Sequence, residues 1–233
     1  MLQKSIGAVR GTFDFYFRRK LKQKLGGSFN GQDGRKRLVS QILEELTPAA
    51  IIETGTYRGG TTQYLSQTQN LPIYSIESEP RFHYYARWRL RGADQVELFL
   101  GDSRSGLREL AGRQELRDAR LFFYLDAHWY DDLPLLGEMQ IIADSWKEWI
   151  VLVDDFCVPG DEGYGFDDYG PTKCLSVDCL GDFSSFGAQA WFPSISSDQE
   201  SGLKRGSILL ARGGEVVETL NRMSALRPLP ADA

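Results

Sequence analysis

The sequence predicts an α/β fold: a doubly wound, mostly parallel sheet of seven strands, preceded by N-terminal helices. Three observations predict it. Five short apolar runs recur between Ala49 and Val153. They are near-continuous rather than alternating, as strands buried on both faces are. Segments of helical character separate them, and strand–helix–strand units of this kind close right-handed into a parallel sheet.

The elements follow in order. Residues 2–25 suit an amphipathic helix, with Leu2, Ile6, Val9, Phe13, Leu21 and Leu25 near helical spacing, although Gly11 and the Phe13–Phe17 cluster interrupt it. The glycine-rich stretch 26–34 reads as a linker or mobile loop. A second helix is expected from about Arg35 to Leu46, with Leu38, Ile42 and Leu46 on one face and Pro48 ending it. The strands are expected at Ala49–Glu53, Ile73–Ile76, Val96–Leu100, Leu121–Leu125 and Ile150–Val153. The helices between them run through Tyr64, carry Tyr84, Tyr85, Trp88 and Leu90, include Leu107–Leu110, and lie near Leu133–Trp146. Two further strands are read at Ala188–Phe192 and Ser207–Ala211. Residues 1–34 thus form a basic helix and linker, and 35–233 one domain.

The 233 residues suffice for one large core and are thin for two. With 42% hydrophobic and 25% charged residues, the composition is that of an ordinary globular chain. No apolar run nears the roughly 18 residues of a spanning helix, and no secretory leader is expected at the N-terminus. Cys157, Cys174 and Cys179 are sparse and odd in number, without C-x-x-C spacing. They point to a reducing compartment, the cytoplasm, with neither a zinc site nor a disulfide framework. The net charge of −5 is uneven: residues 1–26 hold seven basic residues against one acidic, a net +6, which leaves −11 for the rest. That acidic body disfavours nucleic acid as a partner. The basic head has three readings: a helix covering the domain, a weak anchor on anionic lipid, or an arm that docks a partner. Separately, a homodimer is an option for the chain.

In open parallel sheets ligands bind beyond the carboxyl ends of the strands. Acidic residues stand at all five ends: Glu53, Glu77, Asp102, Asp126, and the pair Asp154–Asp155. The first turn, Glu53-Thr-Gly-Thr-Tyr-Arg-Gly-Gly-Thr61, has Tyr57 where a pyrophosphate-binding loop needs its second glycine. The carboxylate of Glu53 would repel a pyrophosphate, so a nicotinamide dinucleotide is disfavoured. It suits a cofactor bearing an ammonium and a sulfonium. Glu77, 22 residues after Gly55, has the spacing of an acid that holds ribose hydroxyls.

This run resembles the E-x-G-x-Y-x-G-x-S/T turn of class I S-adenosylmethionine-dependent methyltransferases, in particular the catechol O-methyltransferase type. Ser75-Ile76-Glu77, Gly101-Asp102-Ser103, Leu125-Asp126-Ala127-His128-Trp129 and Val153-Asp154-Asp155 resemble the family's later strand ends, and the paired aspartate is similar to macrocin-type enzymes that act on sugar hydroxyls. The resemblance spans residues about 49–160. It implies a Rossmann-like fold and O-methylation of a small-molecule or sugar hydroxyl. It also implies that Glu53, Gly55, Tyr57, Gly59 and Thr61 line the methionine part of S-adenosylmethionine. Glu77 would hold the ribose, and Asp102 and Ser103 would flank the adenine. Asp126, also near the cofactor, would bind Mg²⁺ with Asp154 and Asp155, since hard carboxylate oxygens suit that ion. The lysine base of catechol-type enzymes is absent after Trp129, where Tyr130-Asp131-Asp132 stands. His128 is the substitute base, with Asp126 beside it in the catalytic role. Residues 154–169, acidic and aromatic with interspersed glycines, read as a substrate-side lid. A metal-independent methyltransferase and a degenerate nucleoside-binding interaction domain are the alternatives.

Overall fold

The computed structural model describes residues 2–18, 20–21, 27–128, 132–170, 173–181 and 183–229. The elements in chain order are α1 (Leu2–Phe17), a 3-10 turn (Ser28–Gly31), α2 (Asp33–Leu46), β1 (Ala50–Thr54), α3 (Gly60–Thr68), β2 (Ile73–Glu77), α4 (Pro80–Arg89), β3 (Val96–Leu100), α5 (Ser103–Ala111), β4 (Leu121–Leu125), α6 (Leu135–Ser145), β5 (Trp149–Asp154), the short α7 (Val177–Leu180), β6 (Gln189–Pro193), β7 (Ser207–Arg212), α8 (Gly214–Arg222) and β8 (Leu226–Pro228).

The strands form one sheet in the order β3-β2-β1-β4-β5-β7-β6-β8. Strands β1 to β5 pair in parallel. β7 runs antiparallel between β5 and β6, and β8 adds an antiparallel edge to β6. The sheet therefore has eight strands among the described residues, one more than expected. The extra one, Leu226–Pro228, has three residues and ends in proline, too short to show a pattern.

Both faces of the sheet are buried. Ile52, Phe123, Leu125, Val151 and Val153 pack with Leu107 and Leu110 of α5 and Met139 and Ile142 of α6. Their neighbours Ile51, Phe122, Tyr124, Ile150 and Leu152 pack on the other side with Leu38, Ile42 and Leu46 of α2 and Leu220 of α8. Successive residues serve opposite layers, which is why the strands read as unbroken apolar runs.

One expectation for the N-terminal region is corrected, and one left open is decided. The stretch 26–34 is no slack linker where it is described, from Gly27 on. Phe29 is fully buried, edge-on to the rings of Tyr64 and Tyr124. The apolar stripe of α1, whose facing the spacing leaves open, looks outward: Ile6, Val9 and Phe13 are exposed. The inward face is Gly7, Gly11, Asp14 and Phe15. A Cβ on Gly7 or Gly11 would collide with Pro80 or the Arg81 carbonyl, so the two glycines let α1 lie directly on α4. Asp14 then pairs with Arg81, Trp88 Nε1 donates to Thr12 Oγ1 at 3.0 Å, and Phe15 meets Tyr85 edge-on. Leu25 falls outside the described residues.

Candidate active site

The sheet reverses its order between β1 and β4, the place where a crevice opens at the strand tips. Asp126 N donates to the Thr54 carbonyl at 3.0 Å, so the β4 tip is laced to β1. Gly55 adopts φ +84°, and a side chain there would overlap the Asp126 carbonyl. Only glycine meets both demands. Tyr57 also has positive φ, and its N–H donates to Glu77 Oε2 at 2.6 Å. The first turn is thereby tied to the end of β2. Gly59, at φ +69°, starts α3 against Leu90 and Ala86 of α4. The Tyr57 ring lies against Phe82, with the Arg58 guanidinium 4.5 Å from its centroid.

Two carboxyls are buried beside this turn. Glu53 accepts from the hydroxyls of Thr62 and Ser75, and burial pushes its pKa up to about 7. Glu77 accepts from the N–H groups of Tyr57 and, at 2.8 Å, Glu79, and burial again raises it to about 7. Each is a negative charge kept out of water without a cationic partner among the described residues, a situation that favours the protonated form. Thr61 Oγ1 accepts from Phe29 N at 3.2 Å, so its hydroxyl fastens the N-terminal plug. Asp102 caps α5 through Arg104 N and Ser105 N. It also pairs with the Arg104 side chain, which holds it below the usual carboxylate range. Ser103 is buried at the start of α5. Near its hydroxyl and that of Thr54, without a well-formed hydrogen bond, stands the buried Glu138 of α6, pushed up to about 7 by burial.

Asp126, His128 and Asp155 converge at the tips of β4 and β5: one donor atom of each lies within 4.8 Å of the others. His128 Nε2 is 3.8 Å from Asp126 Oδ1, and neither ring nitrogen has a well-formed hydrogen bond among the described residues, although the Asp154 backbone is close by. Burial lowers the imidazole's pKa, so it stands neutral. Burial, and then the charges of Asp154 and Asp155, push Asp126 well up.

Asp154, expected as a metal ligand with the other two aspartates, faces elsewhere. It is fully buried and accepts from Arg35, from the Tyr124 hydroxyl, from Asn30 Nδ2 at 3.2 Å and from Asp155 N at 2.7 Å. His128 stands in its place in the converging group. Asp155, at φ +53°, accepts from Arg205 Nε at 2.6 Å, and Arg205 also pairs with Asp167. Two guanidiniums, Arg35 and Arg205, thus meet three acids at and beyond the end of β5: Asp154, Asp155 and Asp167.

The segment expected to be a lid is held down. Gly165 exchanges backbone hydrogen bonds with Lys204 and Gly206 at 2.9 and 2.8 Å, and Asp167 N donates to the Asp155 carbonyl at 2.9 Å. Asp161 accepts from Ser197 N at 2.8 Å, and the Tyr164 hydroxyl donates to the Ile195 carbonyl at 3.0 Å. Phe166 remains exposed on its surface. Trp129, Tyr130 and Asp131, whose sequence raised the question of the missing lysine, lie outside the described residues.

Neither a family model nor a curated protein matches the sequence. Solved structures do match. A putative O-methyltransferase from Klebsiella pneumoniae aligns over 91% of this chain and 99% of its own, at 16% identity and a TM-score of 0.53. An O-methyltransferase from Bacillus cereus in complex with S-adenosylhomocysteine (SAH) aligns over 91% and 90%, at 13% identity and 0.53. A putative caffeoyl-CoA O-methyltransferase from Staphylococcus aureus aligns over 76% and 82%, at 15% and 0.53. The chain has the class I methyltransferase fold.

On this methyltransferase fold Glu53, Gly55, Tyr57, Gly59 and Glu77 come together around one turn, with Asp126 laid across it. Asp102 and Ser103 follow at the next strand tip, and Thr61 is turned to the plug. Arg35, Arg205 and Glu138 were not singled out in the sequence. No local signal marks the two arginines, because each finds its carboxylates far along the chain. Glu138 shows only as an acid in the apolar run Leu135–Ile142, on a face that should be buried.

Proposed function

We propose that this chain is an S-adenosylmethionine-dependent methyltransferase acting on a hydroxyl oxygen of a small molecule or sugar. The observation that carries the reading is the pair of buried carboxyls, Glu53 and Glu77, on either side of a turn whose glycine is pressed against Asp126. The cofactor would supply an electrophilic methyl group on a sulfonium. Glu53 offers an anion to its ammonium, and Glu77, which keeps lone pairs beyond those used by Tyr57 and Glu79, offers acceptors to ribose hydroxyls. Glycine at position 55 lets the Asp126 backbone of the β4 tip lie directly against the turn, which brings Asp126 beside the two carboxyls.

His128 accepts the proton of the acceptor hydroxyl at a ring nitrogen. Its neutrality and the absence of a well-formed hydrogen bond at its ring nitrogens among the described residues equip it for this. Asp126 orients the imidazole from 3.8 Å and stabilises its charged form. In a second arrangement Asp126, Asp155 and His128 would hold a divalent cation through two hard carboxylates and an imidazole nitrogen, and His128 would then be a ligand and not the base; the imidazole makes Mn²⁺ a rival to Mg²⁺. Such an ion would lower the pKa of a hydroxyl held on it. Asp154 lies outside this set and serves to hold Arg35, Tyr124 and the Asp155 backbone in place.

Calorimetric titration tests both levels. SAH is expected to bind, with and without EDTA, and NAD is not. Asp126→Asn should leave SAH affinity within about threefold while abolishing any heat from Mn²⁺ or Mg²⁺, because the cofactor carboxylates sit at β1 and β2. Binding of NAD in place of SAH overturns the methyltransferase reading, and retained metal binding in Asp126→Asn overturns the ligand set.

A further inference from the structure

We propose that the outer face of α1 rests on an anionic lipid surface. Ile6, Val9, Phe13, Tyr16 and Phe17 are 45–73% exposed, and they account for five of the eight large hydrophobic residues exposed among those described. At 3.6 residues per turn they fall within an arc of about 100°. That arc points directly away from the face of Gly7, Gly11 and Phe15 by which α1 lies on α4. The apolar stripe is therefore not spare core surface that a small shift would bury, since the opposite side is already fastened by the Asp14–Arg81 pair and the Trp88–Thr12 hydrogen bond. Phe13 and Phe17 stack on each other at 5.0 Å within it.

Charge identifies the occupant. Lys4 and Arg10 are exposed on α1, and Arg18 and Lys20 are exposed just beyond its end. Arg19, Lys22 and Lys24 add to the same stretch of sequence. Among the described residues Lys4, Arg10, Arg18 and Lys20 outnumber Asp14 along α1 and just beyond it, while the sequence after residue 26 carries −11, so positive charge gathers on the helix that bears the stripe. An anionic bilayer attracts that helix and repels the body, which orients the protein with α1 down. A symmetric second copy would instead bring two +6 segments together. At 16 residues α1 lies in the interface rather than across it, and no helix of the described residues is long and apolar enough to cross a membrane. The inference does not rest on the methyltransferase reading.

Vesicle flotation tests it. With the full chain at low salt, phosphatidylcholine vesicles containing phosphatidylglycerol should capture at least about tenfold more protein than phosphatidylcholine alone, and high salt should remove most of the difference. Val9→Asp with Phe13→Glu should abolish capture, as should Lys4→Glu with Arg10→Glu, while melting temperature and SAH binding stay unchanged because these side chains are exposed. Three outcomes overturn the proposal: equal recovery with the two vesicle types, capture that survives both double variants, or a wild-type dimer in solution that Phe13→Glu splits without any vesicle binding. Loss of SAH binding in the wild type would strike the methyltransferase reading and leave this one standing.

Discussion

Glu53 and Glu77 hold their protons longer in the folded chain than outside it. Each rises from about 4.5 to about 7, with burial as the main cause. The sign follows: between those values the native state binds more protons than the unfolded one. The stability these groups lend is present below about pH 4.5 and lost as pH rises through about 7. Thermal melts of the ligand-free protein should therefore fall across that window. A ligand that needs both carboxylates ionised behaves oppositely: S-adenosylmethionine affinity should climb as pH rises through about 7 and level off above it. Titrations in buffers of different ionisation enthalpy should show protons released, and Glu77→Gln should flatten the pH dependence. A flat wild-type profile would contradict the assignment. These acids were legible because apolar runs mark where strands end, and acids at strand ends stand out. The group at β5 was legible only in part. The sequence supplies Asp154 and Asp155 side by side, but adjacent residues point in opposite directions, and only packing decides which one faces the crevice.

Helix α1 shows the same division one level up. Its stripe was visible in the spacing of Ile6, Val9 and Phe13. Its facing was not, because helical periodicity does not say what lies opposite. Gly11 looked like a defect in the helix and is its seat: the Arg81 carbonyl of α4 occupies the space where a side chain would be. Gly11→Val should lift α1 off α4, breaking the Asp14–Arg81 and Thr12–Trp88 contacts. The expected cost is about 1–3 kcal/mol, the scale of overpacking a close contact. Proteolysis should then cut within residues 1–26 faster than in the wild type, while β1 to β5 keep their hydrogen-exchange protection. Unchanged cleavage and melting would mean that the glycine contact is incidental. Strand β8 was missed for a simpler reason: three residues cannot establish a period.

At the scale of the whole molecule, Arg35 of α2 crosses to Asp154 of β5, 119 residues away, and both side chains are almost fully buried. Arg35→Met should cost about 3–5 kcal/mol in chemical denaturation, because it strands a carboxylate in the interior. Arg35→Met with Asp154→Leu should recover much of that loss; no recovery would show that Asp154 matters for Tyr124 and Asn30 rather than for its charge. Gln32 reaches still further, its side chain exchanging two hydrogen bonds with the Arg205 backbone across 173 residues. This has a consequence for the order in which the molecule is born. On the ribosome the N-terminal strands emerge first, and β1 to β5 exist before residue 205 has been made. During that interval Asp155 and Asp167 lack the guanidinium that pairs with them, and contacts of such separation close slowly even afterwards. The acidic end of the sheet is therefore the last part of the crevice to mature, and a chain cut short before Arg205 would lack both that guanidinium and β7, the strand that covers the edge of β5.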